Sequence, residues 1–225
     1  MGSENLAPRS AVRKTHGKSQ VAQPKDARTG AIDLAADVGE FFRDAVGGAV
    51  KGSGFDPTPA AELYVAGLLA DFARSDQLAE AALERPVTFA LQDALRAAGP
   101  QRFERLRTLG DGVLYVSGFF GAHLSQRGVP VRYVAAVGSS AYDHAASMLR
   151  GGGGSANVLA ELATRFDMFV ELLADVADRL LAGAARSDRE LLRLYERWLA
   201  TGSTELATAL AGHGMTPMRG DGTLN

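Results

Sequence analysis

Val113-Leu114-Tyr115-Val116-Ser117-Gly118-Phe119-Phe120 is the most apolar run in the chain, and its reading decides the fold class. A fully buried helix fits it. So does a buried strand paired with Val129 to Val137 across the intervening loop, because periodicity does not separate the two over so short a span. The β-branched valines favour the strand. The next segment favours the helix: between Val131 and Arg150, Val134, Val137 or Gly138, Ala141, Ala145 and Met148 recur at helical spacing, a stripe of small side chains suited to close helix–helix approach. We therefore expect an all-α fold, a bundle of about seven to nine helices. A hairpin at 113–137 would make the class α+β instead.

Working outward, Gln101 to Leu109 has helical composition, Gly110 is placed to stop that helix, and Asp111 is placed to cap the next. Thr58-Pro59 reads as an N-cap followed by proline at the first helical position, opening a helix to about Arg74. Ser75 is a cap for a short helix from Asp76 to Leu83, and Val87 to Ala98 resumes the pattern after Pro86. Val158 to Leu181 is the clearest helix, with Leu159, Leu162, Phe166, Phe169, Val170, Leu173, Val176 and Leu180 on a continuous apolar stripe. Ser187 caps Asp188 to Leu199, in which Leu191, Leu194, Tyr195 and Trp198 face inward, and Thr201 to Ala211 forms the last helix before Gly212 and Gly214. Gly151 to Ser155 has the composition of a flexible linker, natural or engineered.

The N-terminal 29 residues have almost no large apolar side chains and read as a disordered basic tail. Through Gly30 they hold six Lys and Arg against two acids, so this part carries +4 and the remainder −6. Ile32, Leu34, Val38, Phe41 and Phe42 then mark a docking helix over 30–50, followed by a helical domain over 56–214 and a loose tail over 215–225. No secretory h-region and no membrane span are legible, and a cytoplasmic location is expected.

Composition excludes several chemistries. With no cysteine among 225 residues, disulfides, thiolate metal sites and cysteine nucleophiles are out. The four histidines, His16, His123, His144 and His213, are scattered, so no metal and no other cofactor is expected. The glycines at 151–154 lack the Lys-Ser or Lys-Thr that would complete a phosphate loop. Arg219-Gly220-Asp221 spells an adhesion tripeptide too short to carry weight.

Leu109-Gly110-Asp111, Ser117-Gly118-Phe119-Phe120, Tyr133, Gly138, Ala141-Tyr142 and Leu194-Tyr195-Glu196-Arg197-Trp198-Leu199 together resemble an uncharacterised bacterial helical family over residues 60 to 215. The resemblance implies a helical fold and a bacterial origin, and no activity, cofactor or site residue.

The residues suggest a few polar candidates. Asp111 enters the apolar run, where desolvation would raise its pKa. Ser140 and His144 share a helix face at i, i+4, with Tyr133 along the same stripe. With Tyr115 these form the candidate pocket of a small-molecule-binding protein or enzyme. The leading expectation is different: a non-enzymatic interaction module, an accessory subunit or adaptor of a larger bacterial assembly. Its protein partner would be met through Arg9, Arg13, Lys14 and Lys18 of the tail and Phe41 and Phe42 of the first helix. The tail also allows weak, salt-sensitive nucleic-acid contact, and self-association is compatible with the amphipathic helices.

Overall fold

The computed structural model describes residues 27–75, 85–149 and 154–218. Among these residues there are nine helices and no strand, so the fold is all-α and the hairpin alternative falls. In chain order they are α1 (Ala27–Ser53), α2 (Pro59–Arg74), α3 (Val87–Arg96), α4 (Gly99–Gln126), α5 (Val131–Met148), α6 (Gly154–Thr164), α7 (Phe166–Ala184), α8 (Asp188–Thr201) and α9 (Thr204–Gly212). The tail bearing Arg9, Arg13, Lys14 and Lys18, the helix expected over Asp76 to Leu83, Gly151 to Gly153 and the tripeptide at 219–221 lie outside the described residues. None of the described helices is long and apolar enough to cross a membrane.

Local chemistry accounts for several boundaries. The Thr58 hydroxyl accepts from the Ala61 amide at 3.2 Å, with Pro59 at the start of α2. Ser187 and Glu190 form a reciprocal capping box at α8, and Gly202 ends that helix at φ 70°. Ser203 caps α9, which therefore starts at Thr204 rather than Thr201. Gly154 and Ser155 open α6 instead of closing a loop.

Two expectations are overturned. The expected stop at Gly110 does not exist: α4 runs unbroken through it, so Asp111 is a mid-helix residue and not a cap. Gly110 serves another helix, because a Cβ there would sit 2.6 Å from the Tyr142 ring on α5. Gly118 and Gly138 do the same, facing Leu173 at 2.4 Å and Phe166 at 2.5 Å, so three glycines let α4, α5 and α7 pack at close range. The single helix expected over 158–181 is two, broken at Arg165 (φ −110°, ψ 27°). There the guanidinium lies 4.3 Å from the Phe55 ring centroid and donates to the Asp56 carbonyl at 2.8 Å.

The main core joins side chains of α1, α2 and α4–α7, with Ala94 the one contribution of α3 that is fully buried. Phe42, Val46 and Ala49 place α1 in that core, so Phe42 is a packing residue, whereas Phe41 remains 54% exposed. A second, smaller core of Ala185, Leu194, Trp198, Leu206 and Leu210 holds the α8–α9 hairpin. The hairpin is tied to the body by Arg197. α4 is kinked at Phe120 (φ −120°, ψ 16°), and Arg197 Nη1 donates to the neighbouring Phe119 carbonyl at 2.8 Å, while its Nε pairs with the buried Asp178.

Candidate functional site

Asp111 is the centre of the largest polar cluster around the core. Its Oδ1 accepts from the Tyr64 hydroxyl at 2.6 Å and the Tyr142 hydroxyl at 2.8 Å, and its Oδ2 from Arg107 at 3.1 Å. One carboxylate thus ties α2 to α4 and α5. Burial pushes the Asp111 carboxyl above the ordinary Asp range, against the opposing pull of Tyr64, Tyr142 and Arg107. Burial, reinforced by the charge of Asp111, also pushes both phenols up, so they stay protonated donors at neutral pH. The cluster has its hydrogen bonds satisfied internally, which suits a structural tie.

The other polar candidates do not join it. Tyr115 lies stacked between Phe72 (centroids 4.2 Å apart) and Phe119 (4.9 Å). Tyr133 is 51% exposed, and Ser140 and His144 are half-buried on α5. The space imagined between the apolar run and α5 is filled by Val113 against Gly138 and Tyr142 against Gly110. Tyr64 and Tyr142 were not legible as Asp111 partners. Arg107 was, as an i, i+4 ion pair on one helix, once Gly110 is not read as a stop.

Clefts of ligand or side-chain size open at three places among the described residues, and none of these three is lined by Asp111, Tyr115, Tyr133, Ser140 or His144. The first, about 490 Å³, runs between α5 and the α6–α7 break, with Arg132 and Arg165 at its edge. The second, about 520 Å³, lies between α2, α3 and α4. The third, about 300 Å³, is an apolar groove on the C-terminal hairpin formed by Asp188, Leu191, Leu192, Tyr195 and Met215. Of these, Leu192 is 56% exposed.

Among the described residues no three His, Asp or Glu side chains converge as metal ligands would. No protein-family model, no curated protein and no solved structure matches the chain.

Proposed function

We propose that the chain is a non-enzymatic helical interaction module that pairs with a second copy of itself through α8. The groove on the C-terminal hairpin carries this reading. Asp188, Leu191, Leu192 and Tyr195 stand at i, i+3, i+4 and i+7, the four-residue diamond into which a side chain of a facing helix inserts. Met215 extends its apolar wall.

The occupant is argued from the same face. Leu192, one corner of the hole, is itself exposed enough to act as a knob, so a two-fold axis lets each copy's Leu192 seat in the other's groove, as an isologous contact requires. Arg189 and Glu196, both exposed and two helical turns apart, make no ion pair among the described residues. Antiparallel pairing sets each against its opposite on the other copy. A contact centred on one 14-residue helix falls at or below the roughly 1,200 Å² of stable interfaces, so association is weak and concentration-dependent.

Sedimentation of the full chain over a range of concentrations tests this. Reversible dimers are expected, with Leu192→Arg monomeric, Arg189→Glu and Glu196→Arg each weakened, and the double charge swap restored. A strict monomer at the highest concentration, or a dimer indifferent to Leu192→Arg, overturns the reading.

A further inference from the structure

α3 lies against the main core through the half-buried Val87, Leu91 and Leu95. Only Ala94 of its ten residues is fully buried, and the cavity of about 520 Å³ opens between it, α2 and α4. That volume falls within the range of small-ligand pockets, roughly 300–1,000 Å³. The floor is apolar and rigid: Phe72 and Val113 are buried, and the Phe72 ring is backed by Tyr115 stacked at 4.2 Å. Val87, Ala90 and Leu109 continue the apolar lining up the walls.

Among the described residues, the charged lining residues are Arg85, Asp93, Glu104 and Arg105. Arg85 pairs with Asp93 at 3.0 Å, and Glu104 pairs with Arg107 at 2.9 Å. Arg105 is exposed and makes no ion pair among the described residues. An apolar chamber whose one charged group without an ion pair among the described residues is a guanidinium complements an apolar body ending in a single negative charge, and the planar fork of arginine matches a carboxylate in particular.

We propose that the cavity between α2, α3 and α4 binds an amphipathic monoanion of the alkyl carboxylate class, with its chain on Phe72 and Val113 and its carboxylate on Arg105. The site is separate from the α8 groove, so either assignment stands or falls without the other.

Methyl-resolved NMR titration of the full chain with decanoate, and with decylammonium as the cationic counterpart, tests the proposal. Decanoate is expected to shift the Val87, Leu109 and Val113 methyls saturably and decylammonium to leave them in place. Loss of one charge-assisted contact in Arg105→Gln weakens decanoate about tenfold. Ala90→Phe, which fills the cavity from its wall, abolishes binding; should that variant fail to fold, the Arg105→Gln comparison decides. The proposal is overturned if decanoate leaves those methyls unmoved at millimolar concentration. It is equally overturned if both amphiphiles bind alike, if Arg105→Gln binds as tightly as the parent, or if the shifts fall on Leu191 and Leu192.

Discussion

The ring of Tyr142 occupies the space where a side chain at position 110 would begin: a Cβ on Gly110 would lie 2.6 Å from both Cδ1 and Cε1. Tyr142 is fully buried, and its hydroxyl is held by Asp111, so the ring has no room to retreat. Helix propensity alone would make Gly110→Ala stabilising by about 1 kcal/mol. The crossing reverses the sign, and overpacking of this kind costs about 1–3 kcal/mol. Gly48, helical and with nothing within 4 Å of its would-be Cβ, provides the control. Urea unfolding is expected to place Gly48→Ala above the parent and Gly110→Ala below it. A stabilised Gly110→Ala would show that α4 and α5 do not approach so closely.

The Asp111 cluster gives a pH dependence of definite sign. A carboxyl raised in the folded state binds its proton more tightly there than in the unfolded chain. Its contribution is greatest at low pH and declines as pH rises from the ordinary Asp value of 3.8 through the raised one. Asp111→Asn lacks that titration. The stability of the parent relative to Asp111→Asn is therefore expected to fall as pH rises across this window and then level off, measured by urea unfolding at a series of pH values. A parent advantage that grows with pH would mean that Tyr64, Tyr142 and Arg107 outweigh burial at this carboxyl.

What could be read in advance follows the range of the interaction. The apolar stripe from Leu159 to Leu180 reports which face of a segment leaves water, and all eight of its residues are buried or half-buried. Thr58 and Ser187 bond to amides three residues away, so their caps are visible in the local sequence. Gly110 was misread because a helix-stopping glycine and a close-approach glycine are the same residue, told apart only by what faces it. The break at Arg165 depends on Phe55, over 100 positions distant, and the Asp111 cluster depends on Tyr64, 47 positions away. No local propensity encodes either pairing. The α8 groove was half-legible: Leu191 and Tyr195 were expected to face inward and do pack on the small core, while their outer edges, with the exposed Leu192, line the groove.

Ser117 carries a further prediction. It is 3% exposed on α4, and its Oγ has no hydrogen-bond partner among the described residues. A buried hydroxyl left unpaired costs about 1–3 kcal/mol, and alanine removes it at almost constant volume while improving helix propensity. Ser117→Ala is expected to raise the unfolding free energy by about 1 kcal/mol. A loss of stability instead would reveal a partner for the hydroxyl.

Arg197 has the most to lose from substitution, because it joins two cores by one side chain. Its guanidinium reaches Asp178 on α7, the Phe119 carbonyl at the α4 kink and the Ala174 carbonyl at 3.4 Å, and the Asp178 side chain is only 6% exposed. Replacing Arg197 alone leaves that carboxylate buried without its cation, a loss of about 3 kcal/mol or more. Arg197→Met keeps an unbranched apolar stem and removes the charged head, so the packing of the stem changes least. If the cost comes from the stranded carboxylate, adding Asp178→Leu should recover most of it, since a buried ion pair is often replaceable by apolar residues of similar volume. Urea unfolding of both variants separates the two contributions. Hydrogen exchange tells where the loss acts, and amides of α8 and α9 are expected to lose protection in Arg197→Met before those of α4 and α5, because the small core of Leu194, Trp198, Leu206 and Leu210 is otherwise joined to the body through Leu181, Ala182 and Ala185 at the end of α7. Arg197→Met within about 0.5 kcal/mol of the parent, the range of ordinary surface substitutions, would refute the tie. So would a double variant no more stable than the single one.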